Sequence, residues 1–164
     1  MRLFHTIIFS AIMVTLFLHF DIHSQSNESK IKNLSEGADI ILTGKVVEQN
    51  SSWNKDKSRI FTNVVVQAEE YLKGDYSEKS IAITTLGGEV GEVGELYSHM
   101  PRFSNAEEVL LFVKKDKKDL IYKVLNGEDG KLTLYRDKNG ELVVSGDKKI
   151  SALKNEIKNF VDKK

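Results

Sequence analysis

The sequence predicts a mainly β domain: a small antiparallel barrel, with a β-sandwich as the alternative, carrying a short N-terminal helix and an amphipathic C-terminal helix. Three observations lead there. Short segments rich in β-branched and aromatic residues recur along the chain, separated at close intervals by turn-forming clusters. No helical pattern lies between them, which removes the alternating strand and helix order of a parallel sheet. The first two segments are long, and Gly44 falls inside the first, where a barrel wall bends.

Residues 1–26 read as a secretory signal. Arg2 supplies a short positive start, and 6–20 form an apolar run that His19 interrupts and that is shorter than the ~20 residues a spanning helix prefers. Ser24 and Ser26, around Gln25, place small residues at cleavage-site spacing, so cleavage is expected after Ser26, with Ser24 as the second choice. The competing expectation is an uncleaved anchor, which would be the chain's one membrane contact. Either way the protein is expected to be exported, to a periplasmic or extracellular compartment. Residues 27–38 are polar, and Ile31, Leu34 and Ala38 stand at helical spacing, predicting a short helix that leads into the first strand.

The barrel is expected over 39–146. Its first strand, 39–50, has apolar residues of both parities (Ile40, Ile41, Leu42, then Val46, Val47), which predicts burial on both faces or a bulge at Gly44. The second, 59–72, pairs with it as a hairpin whose polar tip is 51–58. Lys73-Gly74-Asp75 is a turn, 79–86 a third strand, and 108–114 an apolar run suited to a central strand. Between these two, 87–101 reads as a mobile glycine-rich connection pinned at its far end by Pro101. A charged turn at 114–119 leads to a fifth strand over 120–125, followed by a glycine-punctuated bend at 126–130. Asn139-Gly140 between 131–136 and 141–144 predicts a further hairpin. In 147–164, Ile150, Leu153, Ile157, Phe160 and Val161 mark an amphipathic helix. Ser151 is its expected N-cap, and Lys163 and Lys164 suit the negative end of its dipole.

Composition narrows the chemistry. With 24 basic and 24 acidic side chains in 164 residues, the chain lacks the positive surplus that phosphate binding needs, so no nucleic-acid partner is expected. The absence of cysteine excludes disulfides, thiolate metal sites, cysteine nucleophiles and a lipid-modified N-terminal cysteine.

Particular residues, taken together, carry a resemblance. They are Ala38-Asp39-Ile40-Ile41 with Gly44-Lys45-Val46, Ser52-Trp53, Ile60-Phe61-Thr62 and Glu70-Tyr71-Leu72-Lys73-Gly74. Gly87-Gly88-Glu89-Val90-Gly91, Pro101-Arg102-Phe103 and Glu107-Glu108-Val109-Leu110-Leu111-Phe112 complete the set. On these, about half the precursor, the chain resembles a loosely defined group of secreted bacterial domains, small OB-like or netrin-like barrels. The group is expected to have a second proline-glycine pair before Pro101 and a glycine before the paired glutamates. Here Tyr97-Ser98-His99 and Ser104-Asn105-Ala106 stand in those places, so the turn chemistry is expected to differ. Some such domains occur with secreted metalloproteases, so the resemblance implies an accessory or inhibitory role. Similarity to tissue inhibitors of metalloproteinases is weaker, since those use an N-terminal cysteine on the metal and this chain has none.

Gly88, Gly91 and Gly94 superficially suggest a phosphate cradle, but no helix pattern follows them and Glu89, Glu92 and Glu95 would repel phosphate. Those three carboxylates are too few for calcium, and Asn54, Asp56 and Ser58 lack the glycine and glutamate of an EF-hand loop at Arg59 and Val65. After cleavage His99 is the sole histidine, without the partners of a triad or a zinc site. The adjacent pairs Glu69-Glu70 and Glu107-Glu108 point to opposite faces on strands and do not make a glycosidase cleft. No catalytic residue, metal or cofactor is therefore expected. Trp53, in the first hairpin loop, reads either as a lid over one barrel end or as an anchor for a partner. The leading expectation is a secreted non-enzymatic domain that binds a protein or peptide through loops 51–58 and 87–101. Its candidate binding residues are Trp53, Glu89, Glu92, His99 and Arg102. The alternatives are a carboxylate-based or metal-dependent hydrolase and a structural envelope protein.

Overall fold

The structure, a computed structural model, describes residues 21–74 and 76–163. Most of the expected signal segment therefore lies outside the described residues. The first helix, α1 (Asp21–Gly37), is longer than the short one expected over 27–38, and the expected cleavage point at Ser26 falls within it. Among the described residues no helix is long and apolar enough to cross a membrane. One compact unit comprises residues 34–164. At its start, Leu34 and Ala38 are buried, and the last carbonyls of α1 are capped by lysines from the barrel. Lys73 Nζ donates to Ser35 O at 2.6 Å and Lys114 Nζ to Gly37 O at 3.0 Å, satisfying acceptors that a helix end leaves orphaned.

Strands β1 (Ile40–Trp53) and β2 (Ile60–Lys73) form the long hairpin. β3 (Ser80–Leu86) pairs with β2, and β6 (Glu108–Asp116) pairs with both β1 and β7 (Ile121–Val124). A contact between β3 and β7, Ile83 opposite Tyr122, completes the circuit β1-β2-β3-β7-β6-β1. The result is an OB-like barrel of five strands. The pairings β1–β2, β2–β3, β1–β6 and β6–β7 are antiparallel, as expected, and the closing contact is parallel because the chain crosses between β3 and β6, so β7 arrives running with β3.

Gly44 behaves as expected. The β1–β2 register shifts between Thr43 and Gly44, and a Cβ on Gly44 would collide with the carbonyl of Gln67. The barrel interior is Ile40, Leu42, Val46, Val64, Val66, Ile81, Ile83, Val109, Leu111, Val113 and Val124. Alternate residues of the same strands, Ile41, Leu110 and Phe112, point outward yet are fully buried, which explains the two-parity apolar runs.

Beyond β7, a 3-10 turn (Gly127–Gly130) leads to β8 (Lys131–Arg136), which takes β7's place along the first half of β6. β9 (Leu142–Val144) and β10 (Lys148–Lys149) extend that sheet. The β8–β9 turn is organised by Asp137, whose Oδ1 accepts from the amides of Asn139 (2.8 Å) and Glu141 (2.9 Å), with Gly140 at φ 80°. α2 (Ile150–Val161) follows β10 without a break and buries Leu153 and Ile157, about 2 kcal/mol each. Lys154 and Lys158 bond Glu70 of β2 at 2.8 and 3.0 Å, and those bonds hold the Glu70 carboxyl below its ordinary value. Ser151 is not the N-cap: Lys149 occupies that position with no side-chain bond, because the chain enters the helix directly from a strand.

Candidate functional site: one end of the barrel

Strand register separates two barrel ends. β2 runs from Ile60, beside Trp53, to Lys73, beside Ile41, while β6 enters at Glu108 beside Lys45 and leaves at Asp116 beside Ile121. Tyr71 and Tyr122 thus lie at one end, and Ile60, Leu86 and Glu108 at the other. The first end is closed by Tyr71, Tyr76 and Tyr122, which pack on the interior with ring centroids 5.5 and 5.8 Å apart.

The second end is built differently. The expected mobile connection is a β-hairpin, β4 (Gly88–Val90) and β5 (Val93–Glu95), turning through Gly91 and Glu92. Gly91 has φ 62°, as glycine at the first central position of a II′ turn has. Two-stranded hairpins are marginal alone, and this one is tied to the β1–β2 hairpin. Gly88 lies so close to Ser51 and Thr62 that any Cβ would strike both hydroxyls. Thr62 Oγ1 donates to Gly87 O at 2.6 Å, and Gly87 N donates to Ile60 O at 2.8 Å. The Glu95 carboxylate accepts the amide of Ile60 at 2.9 Å and the Tyr97 hydroxyl at 3.0 Å, and that bond to Glu95 raises the tyrosine's pKa.

After the hairpin the chain returns through Pro101, which is buried, to Phe103, which packs on the barrel interior. Lys131 and Thr133 stand opposite Leu111 and Val109, whose side chains face inward, so β8 aims both toward the barrel mouth. There Glu107 collects Lys131 Nζ (2.6 Å), Thr133 Oγ1 (2.6 Å) and the Ser104 amide (2.9 Å). Both charged side chains are only 12% exposed. Burial alone would raise the Glu107 pKa, but these bonds and the lysine charge outweigh it and hold the carboxyl below its ordinary value. Lys131 also sits over the Phe103 ring, 5.2 Å from its centroid.

Between the hairpin and the returning segment lies a cleft of about 710 Å³. Its lining includes Gly94 and Leu96 on one side and Met100, Arg102 and Phe103 on the other. Leu96 is 71% exposed. Of the candidate residues, Glu89 and Arg102 line this cleft, whereas Trp53, Glu92 and His99 do not. Trp53 ends β1 opposite Ile60 and is half-buried. Glu92 is at the hairpin turn. His99 is exposed and adopts φ 64°, its carbonyl accepting the Glu128 amide at 2.9 Å. Asn54, Asp56 and Ser58 are occupied with one another: Asn54 Oδ1 and Asp56 Oδ1 both accept from the Ser58 amide, closing the β1–β2 tip. Phe103 and its Lys131–Glu107 support were not legible as site residues. The one available signal was an aromatic following Pro101-Arg102.

Chemically, the cleft offers the apolar groups of Leu96, Met100 and Phe103, the acid of Glu89, the guanidinium of Arg102 and exposed glycine backbone at Gly94. Among the described residues no three histidine, aspartate or glutamate side chains gather in an arrangement that holds a metal ion. Models of known protein families and curated proteins give no match to this chain.

Proposed function

We propose that this protein is an exported, non-enzymatic binding domain that takes a protein or peptide partner in the cleft at the mouth of its barrel. The observation that carries the reading is the floor of that cleft. Phe103 is fixed from behind by Lys131 and Glu107 and leaves a face toward a cleft of about 710 Å³. A rigid aromatic with a prepared support is the usual anchor of a protein contact, because little side-chain freedom is lost on binding. The resemblance to secreted barrels adds an accessory or inhibitory role toward a secreted protease.

The test is capture from the exported fraction of the producing cell, using wild-type protein and an Arg102→Ala, Phe103→Ala double variant shown by circular dichroism to be folded under the capture conditions. A partner retained by the first and lost by the second is the expected result. Partners retained equally by both would overturn the reading. So would turnover of a polysaccharide or peptide that a single Glu→Gln change abolishes.

A further inference from the structure

The hairpin that walls the cleft has one unfinished edge. Val90 and Val93 flank its two-residue turn and form its terminal hydrogen-bonded pair, so the next pair, Glu89 and Gly94, is a non-hydrogen-bonded one. The amide and carbonyl of Gly94 accordingly point away from β4. The outer side of β4 lies against β1 and β2. Among the described residues, no strand lies beside β5 other than β4, and no backbone or side-chain group bonds Gly94 on its outer edge. Gly94 also lines the cleft. Natural β proteins cover, charge or bend such edges, whereas this one flanks it with exposed Val93 and Leu96.

We infer that the partner is an extended peptide segment that pairs with β5 as an added strand, through the backbone of Gly94. This rests on the binding reading of the cleft. Charge and shape specify the peptide further. Glu89, on the cleft face beside Gly94, selects a lysine or arginine, and Phe103 with Met100 receives an aliphatic or aromatic side chain. Both point into one cleft, so they stand two places apart, since strand side chains alternate. Arg102 also lines the cleft and disfavours a second basic residue beside it.

The probe is a phage-displayed library of short linear peptides selected on the full exported chain. The selected peptides are expected to share the basic and apolar residues at alternate spacing. Methylating their backbone amides one at a time should weaken binding at the amide that pairs with Gly94 and spare the amides on either side of it, because only every second amide faces the β5 edge. Gly94→Pro removes the outward amide without touching a hairpin bond and should weaken binding about tenfold, while Gly94→Ala should stay within about threefold. Peptides that lose affinity with Phe103→Ala but show no alternation under methylation and no loss with Gly94→Pro would overturn strand pairing and leave the cleft reading standing. If Gly94→Pro fails to fold, the methylation pattern alone decides. A library that yields no binder dependent on Phe103 defeats both readings.

Discussion

The two ends of the barrel use the same materials to different effect. At one, three tyrosines stack on the apolar interior, Lys115 lies 5.8 Å from the Tyr122 centroid, and the Tyr71 hydroxyl donates to Glu78 O at 2.9 Å. At the other, one phenylalanine covers the interior with a lysine against it, and a cleft opens beside it. The tyrosine rings pack against one another within their own chain. The Phe103 end has an aromatic face and a strand edge to spare. Stability and recognition are therefore expected to separate along the barrel axis.

The largest effect belongs to the support beneath Phe103. Lys131→Met should cost about 3 kcal/mol at neutral pH in chemical denaturation, because it leaves the Glu107 carboxylate nearly buried without its cation. Replacing both, Glu107→Leu with Lys131→Met, should recover most of that loss, since a packed apolar pair avoids the desolvation of two charges. A double variant as unstable as the single one would mean that the pair supplies net stability. Next comes the contrast between the ends. Tyr122→Ala should cost about 2 kcal/mol and leave partner binding unchanged, as truncating a half-buried aromatic does. Phe103→Ala should destabilise by a similar amount and also weaken binding at least about tenfold. Equal binding losses from the two variants would erase the distinction between the ends.

The sequence made the barrel strands legible because each carries its own apolar run, and Gly44 marked its bulge without help from tertiary structure. The β4–β5 hairpin was not legible for the opposite reason. Gly88–Val90 and Val93–Glu95 have no apolar alternation, and their strands exist because Gly88 docks on Ser51 and Thr62 while Glu95 reaches back to the amide of Ile60. The candidate site divides the same way. Glu89 and Arg102 could be singled out from local sequence, but Lys131 reaches Glu107 only through the β6–β8 register, across 24 positions. The parallel β3–β7 contact was hidden for that reason too.

The ends should also fail at opposite extremes of pH. Glu107 has a lowered pKa, so its contribution is fully present above the unfolded value near 4.5 and is lost as pH falls through the folded one. Burial raises the pKa values of Tyr71 and Tyr76, so their contribution is present below about 10 and is lost as pH climbs through the folded values. Thermal unfolding across the pH range should show both declines. Glu107→Gln should flatten the acid decline and leave the alkaline one. An acid decline that survives that substitution would place the sensitive carboxylates elsewhere, with Glu70 and Asp116 the next to test, the latter held down to about 2 mainly by its bond from Lys123.

The smallest effect is a gain. His99 and Ala106 bracket the segment that brings Phe103 to the mouth, and both hold left-handed backbone, at φ 64° and 63°. A side chain in that conformation costs about 1 kcal/mol. Ala106 is the cleaner test, because it is exposed and its amide already bonds the Val46 carbonyl at 3.0 Å, which fixes the turn whatever the side chain. Glycine there relieves the strain but widens the unfolded ensemble, so Ala106→Gly should stabilise by about 0.5 kcal/mol net. A loss of stability would mean that the alanine methyl supports the loop. A gain accompanied by weaker binding would mean that the strain helps hold Phe103 in place, making the mouth of the barrel the end where stability gives way to recognition.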